Sequence, residues 1–245
     1  MKIICVIPAR YNSSRFPGKP LADILGKPMI WWVYNAVSKM PEVSETYVAT
    51  DDERIFYAAC SFGAQAVMTG ACATGTDRVA EVCRNLDFDI VLNIQGDEPM
   101  IRSELVLDLI SAFDGDKVQM ATLRKRIENE AELHDSNIAK VVVGRNGDAL
   151  YFTRSAVPHN RDGDSEIDYF KQIGVYGYRK EFLDKFVSLP QSPLEKAECL
   201  EQLRALENGY AIRTVETSYQ SIGVDIPEHI SAVERKLMLL KGEKS

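Results

Sequence analysis

A chain of 245 residues, 45% hydrophobic and 27% charged, has the length and composition of one large α/β domain or of a domain with a substantial insertion. The net charge of −7 argues against a nucleic-acid binder, whose footprint is a basic patch. Five cysteines, an odd number without C-x-x-C spacing, argue against a disulfide framework or a zinc site. Cys5, Cys60, Cys83 and Cys199 lie in apolar contexts and read as small core residues. No apolar stretch is long enough to cross a bilayer, and the chain opens on a strand pattern rather than a signal peptide. A soluble cytoplasmic protein is expected.

The first half alternates strand and helix signals. Residues 3–7 read as a buried strand, and 29–40 as an apolar helix with Pro28 at its first turn. A strand follows at 46–50, then a helix through residue 60 that Asp51 or Asp52 can cap. A short strand at 66–69 precedes a helix opened by Thr76-Asp77 and running to 86. Residues 90–94 form a strand and 104–113 a helix. This alternation predicts a parallel sheet with helices on both faces.

After about residue 119 the pattern changes. Strands are expected at 120–123 and 139–143, and Asn146-Gly147 marks a hairpin into 149–152. A strand at 173–178 is followed by helices at 181–189 and 194–207, the second closed by Gly209. A strand at 211–216 and an amphipathic helix from Pro227 to 240 complete the chain. The polar run from His159 to Asp168 reads as a mobile loop. Residues 119–216 read as a mixed antiparallel insertion placed to cover a nucleotide pocket.

The loop after the first strand is the most informative segment. It reads Pro8-Ala9-Arg10-Tyr11-Asn12-Ser13-Ser14-Arg15-Phe16-Pro17-Gly18-Lys19-Pro20. In an open α/β sheet the ligand sits outside the carboxyl ends of the strands. A loop there with three cations, hydroxyls and free backbone N–H groups suits a polyphosphate. It is not a P-loop, because Pro20 follows Gly18-Lys19 where that motif needs Ser or Thr. Read alone, it is also compatible with a solvated basic loop.

Four further segments follow in order. They are Gln95-Gly96-Asp97-Glu98-Pro99, Tyr151-Phe152-Thr153-Arg154-Ser155, Leu200-Glu201-Gln202-Leu203-Arg204 and Gly223-Val224-Asp225-Ile226-Pro227-Glu228. Together with the first loop they resemble the CMP-Kdo synthetases (3-deoxy-manno-octulosonate cytidylyltransferases) over nearly the whole chain. The resemblance implies a Rossmann-like, doubly wound mixed sheet of the nucleotide-diphospho-sugar transferase type with a smaller antiparallel α+β insertion. It implies a single nucleotidyltransferase domain over 1–245. In it, 1–118 mainly bind nucleotide, and 119–216 mainly serve sugar binding and dimerisation.

It also implies a chemistry. CMP passes from CTP to the anomeric hydroxyl of an acidic 3-deoxy-2-keto sugar, Kdo or a close analogue, in lipopolysaccharide or capsule synthesis. The partners implied are CTP, the sugar acid and a second copy of the chain, with no nucleic acid and no membrane. Such transfer depends on alignment and charge stabilisation rather than covalent help. By the resemblance, Asp97 and Asp225 hold Mg²⁺, Arg10 and Lys19 neutralise the triphosphate, and Lys19 stabilises the leaving pyrophosphate. Read alone, Asp97 is also a helix N-cap and Asp225 a turn residue before Pro227. Ser13, Arg15 and the backbone of Pro8 and Ala9 join the nucleotide site. So do Thr74, Gly75 and Arg78, from Thr74-Gly75-Thr76-Asp77-Arg78, and Gln95 beside the base. The segment at 74 also reads as an N-cap.

On the sugar side the resemblance implies Arg154 for the carboxylate, with Gln172, Tyr176, Glu201 and Gln202 lining the pocket. Glu201 and Gln202 also read as the exposed side of a helix. Where the family carries Lys-His-Ile-Gly-Ile-Tyr, this chain has Lys171-Gln172-Ile173-Gly174-Val175-Tyr176. Gln172 hydrogen-bonds but cannot become a cation. A modified octulosonic or a nonulosonic acid is therefore the alternative substrate. A nucleotide-sugar glycosyltransferase and an inactive nucleotide-binding module are remote alternatives. His134, His159 and His229 show no ligand spacing and read as solvated surface residues.

Overall fold

The computed structural model describes residues 1–13, 15–115, 117–161, 163, 167–219 and 223–242. Ser14 and four positions of the polar run after His159 fall outside them. The chain divides into two compact units, Met1–Val106 with Ser221–Ser245, and Leu107–Gln220.

The first unit is built on four parallel strands in the order β6-β1-β4-β5. All six residues of β1 (Ile3–Pro8) are buried. That follows from its central place, since a parallel strand covered on both faces reads as an unbroken apolar run. β4 (Glu45–Thr50) pairs with it at Ile4↔Glu45 and β6 (Ile90–Asn93) at Ile3↔Ile90, while β5 (Gln65–Met68) edges β4. Helices α1 (Met29–Val37), α2 (Glu53–Ser61) and α3 (Gly75–Cys83) connect them and bury one stripe each, as with Ile30, Val33 and Val37 of α1. Asp52 caps α2 by accepting from the Arg54 N–H at 2.9 Å. Asp51 instead pairs with Arg78 at 2.7 Å. α3 begins at Gly75, one residue before Thr76, and ends at Cys83, short of the expected residue 86. Thr74 is its N-cap, in a reciprocal box where Thr74 Oγ1 accepts from the Asp77 N–H and the Asp77 carboxylate from the Thr74 N–H, each at 3.0 Å.

Two small features had no clear period. Lys19–Leu21 forms a 3₁₀ turn, and β2 (Asp23–Ile24) pairs antiparallel with β3 (Lys27–Pro28). They rest on a satellite core of Ile24, Met29, Met100, Val224 and Val233. Ile230, Leu237 and Leu240 of the terminal helix, His229–Gly242, pack against it.

In the second unit β7 (Met120–Arg126) lies antiparallel to β10 (Phe170–Arg179) and parallel to β11 (Arg213–Glu216). β8 (Lys140–Val143) pairs antiparallel with β10 and with β9 (Ala149–Thr153), the hairpin expected around Asn146-Gly147. Helix α4 (Ser103–Ser111) contains the point in the sequence, Val106/Leu107, at which the chain divides into units, and α5 (Glu130–His134) follows β7. Helix α6 (Lys180–Ser188) buries Phe182, Leu183 and Phe186. The helix expected over 194–207 is in fact two, α7 (Pro193–Glu198) and α8 (Leu203–Glu207). They are separated by Cys199 in the left-handed region, φ 52°, which no continuous α-helix accommodates. Cys5 and Cys83 are core residues as expected, but Cys60 and Cys199 are exposed. No helix among the described residues is long and apolar enough to cross a membrane.

Candidate active site

One cavity of the first unit collects the residues expected to meet a nucleotide. Pro8, Ala9, Arg10, Ser13, Arg15 and Lys19 line it from the loop after β1, Thr74, Gly75 and Arg78 from the start of α3, and Gln95, Asp97 and Asp225 from two later turns. Gly96 makes the approach possible. A Cβ there would stand 3.2 Å from the Pro8 carbonyl oxygen and 3.1 Å from Ile30 Cδ1, so the turn after β6 packs backbone to backbone against the end of β1.

The loop is held in shape by Tyr11. Its carbonyl accepts from the Gly18 N–H at 2.8 Å, its ring covers Gly18, and Arg54 stacks on the ring 3.3 Å from its centroid. Gly18 takes φ 71°, a conformation other residues enter only with strain, and the chain then turns into Lys19 and Pro20. This aims the Lys19 ammonium between the two carboxylates. It lies 2.6 Å from Asp97 Oδ2 and 3.8 Å from Asp225 Oδ1. Arg15 Nη2 reaches the same Asp225 oxygen at 3.1 Å. The aspartates are 128 positions apart in the chain and converge because the Val224 N–H donates to the Asp97 carbonyl at 2.9 Å. The Asp225 N–H donates to His229 Nδ1 at 3.2 Å, so His229 has a structural task and is not merely a surface residue. Arg10 is exposed.

Beside this centre Gln95 Nε2 donates to Asn93 Oδ1 at 3.1 Å, and Asn93 Nδ2 donates to Thr76 Oγ1 at 3.2 Å. Asn93 is 1% exposed, so this chain fixes the Gln95 amide and leaves its oxygen beside Gly75 at the cavity wall. Arg78 also lines the cavity, but its guanidinium is committed to Asp51 and to Thr69 Oγ1.

The second unit holds the residues expected on the sugar side. Gln172 Nε2 donates to the Tyr176 hydroxyl at 2.7 Å, that hydroxyl donates to Gln202 Oε1 at 3.1 Å, and Gln202 Nε2 donates to Gln172 Oε1 at 2.6 Å. The result is a closed ring of three side chains, with Thr122 Oγ1 as a further acceptor for Gln172. Residues 172 and 176 are four apart in β10, an even spacing that places both on one face of the strand, and the register shift between Ile173 and Tyr176 falls between them. Burial pushes the Tyr176 phenol well above its usual range, and the nearby Glu201 carboxylate adds to the shift. All three nitrogens of Arg154 donate to main-chain carbonyls, those of Glu198, Ser136, Asn137 and Cys199.

The chain as a whole matches known proteins. The family model described as cytidylyltransferase matches residues 4–218. The chain belongs to that family. A 3-deoxy-manno-octulosonate cytidylyltransferase of Solibacter usitatus is 49% identical over 248 residues, spanning 98% of this chain and 97% of that one. The protein of the same name from Geobacter metallireducens is 47% identical, spanning 97% of this chain and 98% of its own. Among solved structures, a CMP:2-keto-3-deoxy-manno-octonic acid synthetase complexed with CTP superposes with a TM-score of 0.93 at 44% identity, over 98% of this chain and all of that one. A 4-diphosphocytidyl-2C-methyl-D-erythritol synthase from Anaerococcus prevotii, 16% identical with a TM-score of 0.64 over 97% of this chain and 99% of that one, shares the fold.

Within this cytidylyltransferase, three contributors have no role assigned from sequence: Tyr11 under the loop and Glu98, both inside the sequence motifs, and Asn93 behind Gln95, just outside one. Desolvation, with Asp97 and Asp225 adding to it and Lys19 opposing, raises the Glu98 carboxyl from 4.5 to about 8. At neutral pH it holds its proton in the fold, while the unfolded chain releases it. Stability contributed by this proton is therefore present below about 4.5 and is lost as pH climbs towards 8. Glu98→Gln in metal-free protein is expected to flatten that slope and to stabilise the fold at pH 7 by on the order of 1–3 kcal/mol. Urea unfolding at pH 5 and pH 7.5 checks this, and equal slopes in both proteins would refute it.

Proposed function

We propose that this chain is a 3-deoxy-manno-octulosonate cytidylyltransferase, transferring CMP from CTP to the anomeric hydroxyl of Kdo or a close 3-deoxy-2-keto acid. The observation that carries the reading is the convergence of Asp97, Asp225, Arg15 and Lys19 at the end of β1, beside a base pocket whose Gln95 is held by Asn93. The names and extents of the relatives, and the CTP-complexed structure at 44% identity, support it.

In this mechanism the anomeric oxygen forms a bond to the α-phosphorus, the bond to the β,γ-pyrophosphate breaks, and the hydroxyl proton is released. Arg10, Arg15 and Lys19 neutralise the triphosphate, and Lys19 meets the charge that develops on the leaving pyrophosphate. Gln95 offers a fixed acceptor to an exocyclic amine, which a uracil lacks. The two aspartates fit Mg²⁺. Both already flank one small cation, the Lys19 ammonium, and no grouping of three or more acidic, His or Cys ligands exists among the described residues. Mg²⁺ favours such a sparse site, with phosphate oxygens and water completing its shell. When bound it would supply charge neutralisation at the phosphates. On family resemblance alone, the reading extends to a cytoplasmic homodimer serving lipopolysaccharide or capsule synthesis.

Pyrophosphate release with CTP and Kdo, against UTP and against neutral sugars, tests the proposal; no release with CTP and any 3-deoxy-2-keto acid would end it. A second substrate reading rests on the ring closed by Gln172. A neutral amide selects by matched hydrogen bonds, where one unpaired buried group costs about 1–3 kcal/mol. Gln172→His breaks the ring at two bonds and is expected to change the kcat/KM ratio of Kdo to an amino-substituted analogue by about tenfold or more. An unchanged ratio would remove residue 172 from the specificity determinants.

A further inference from the structure

Resting on the assignment of the sugar acid to the second unit, we infer that Arg154 is a positioning residue: it clamps the end of α7 and so fixes the turn that presents Glu201 and Gln202. A guanidinium that recognises a carboxylate in bidentate fashion needs two parallel N–H groups free on one edge. Arg154 has no such edge. Nε donates to the Glu198 carbonyl at 2.8 Å, Nη2 to Cys199 O at 3.4 Å, and Nη1 to Ser136 O at 3.1 Å and Asn137 O at 3.2 Å. The Glu198 and Cys199 carbonyls belong to the end of α7, where main-chain acceptors lack helical partners.

The same grip is repeated around it. The Glu198 carboxylate returns the contact, accepting from the Arg154 N–H at 2.9 Å and from Thr153 Oγ1 at 2.6 Å. The Arg154 carbonyl accepts from Lys140 Nζ at 2.7 Å. Lys140 is 0% exposed and spends its other two protons on the Asp135 and Ile138 carbonyls, at 2.7 and 2.8 Å. Two cations thus tie together the loop at 135–138, the end of β9 and the end of α7.

The target of the clamp is the turn 199–202. Cys199 at φ 52° and ψ 46° is strained for a residue with a side chain, a cost of about 1–2 kcal/mol that persists only when surroundings over-determine it. Arg154 holds the near side of that turn. The far side is held by the buried pair Glu195–Arg204, bidentate at 2.8 and 2.6 Å. Between the clamps lie Glu201, close to Tyr176, and Gln202, the member of the ring that is 2% exposed. The turn has two fixed ends, so the amide of Gln202 has one place to be.

The test separates this role from carboxylate binding and from the assignment of the sugar. Arg154→Ala, or Arg154→Lys if the first variant does not fold, is expected to speed amide hydrogen exchange of the segment 199–204 by tenfold or more, a readout that needs no substrate. With Kdo it should raise the sugar KM by tenfold or more and leave the CTP KM unchanged. The double variant Arg154→Ala, Gln202→Ala should be no worse than the poorer single variant, because both changes disable the same amide. Unaltered exchange at 199–204, or effects of the two substitutions that multiply, would overturn the inference and return Arg154 to direct recognition of the carboxylate. Failure of the wild-type protein to use any sugar acid would instead count against the proposed function, and the exchange measurement would still decide the clamp.

Discussion

A folded Asp97→Asn protein is expected to lose turnover by about three orders of magnitude or more, with its thermal stability nearly unchanged. The loss follows from the charge. An amide in place of the carboxylate weakens a Mg²⁺ site with only two protein carboxylates, and several kcal/mol of transition-state stabilisation go with it. The fold survives because the bond that joins the two aspartate segments uses the main-chain oxygen of Asp97, accepting from the Val224 N–H at 2.9 Å, and Asn keeps it. Asp225→Asn should behave alike, with Arg15 losing its carboxylate partner as well. Steady-state rates across a Mg²⁺ titration, with a chelator control, decide the matter. Full activity in excess chelator, or a normal rate from either variant, would remove the metal from the proposal.

The parallel half of the fold was legible because its strands are unbroken apolar runs. Such runs arise when a strand is covered on both faces, as with 3–7 and 90–94. The break at Cys199 was not legible. Residues 194–207 carry a helical pattern throughout, and no Gly or Pro marks the point where the backbone turns left-handed. The conformation is held there by Arg154, distant in sequence, on one side and by the Glu195–Arg204 pair, which bridges the break, on the other. For the same reason Glu201 and Gln202 fall on a turn rather than along a helix face.

The candidate site divides in the same way. Arg10, Lys19, Asp97 and Asp225 stand in short motifs at strand ends, where the chain exposes chemistry that a core has no use for. Their supports carry no comparable signal, even where, like Tyr11, they stand in the same motif. Tyr11 as the platform for Gly18 and Arg54, Asn93 as the partner of Gln95, and His229 as the acceptor of the Asp225 N–H are ordinary residue types in ordinary surroundings. Only the three-dimensional contact gives them a role. Arg154 was prominent in sequence for its charge, yet its bonds lie with carbonyls that sequence cannot place beside it.

Lys19→Ala is expected to lower kcat by about two orders of magnitude or more and to change the sugar KM far less. The Lys19 side chain is 13% exposed and its ammonium sits 2.6 Å from one carboxylate and 3.8 Å from the other, so it is poised where phosphate charge must be met. A preorganised cation acting on charge that develops only in the transition state contributes on the order of 3 kcal/mol or more, which appears in kcat rather than in ground-state binding. Preorganisation here is a property of the backbone: Gly18 at φ 71° enters the turn, the Tyr11 carbonyl holds the Gly18 N–H, and Pro20 restricts the exit. Lys19→Arg should therefore recover only part of the rate. A guanidinium is wider and planar, and the short distance to Asp97 leaves it no room without moving that constrained loop. Single-turnover rates with CTP and Kdo for the three proteins separate chemistry from pyrophosphate release. If Lys19→Ala turns over CTP at the wild-type rate, the loop after β1 is a solvated basic turn and the charge must be met elsewhere.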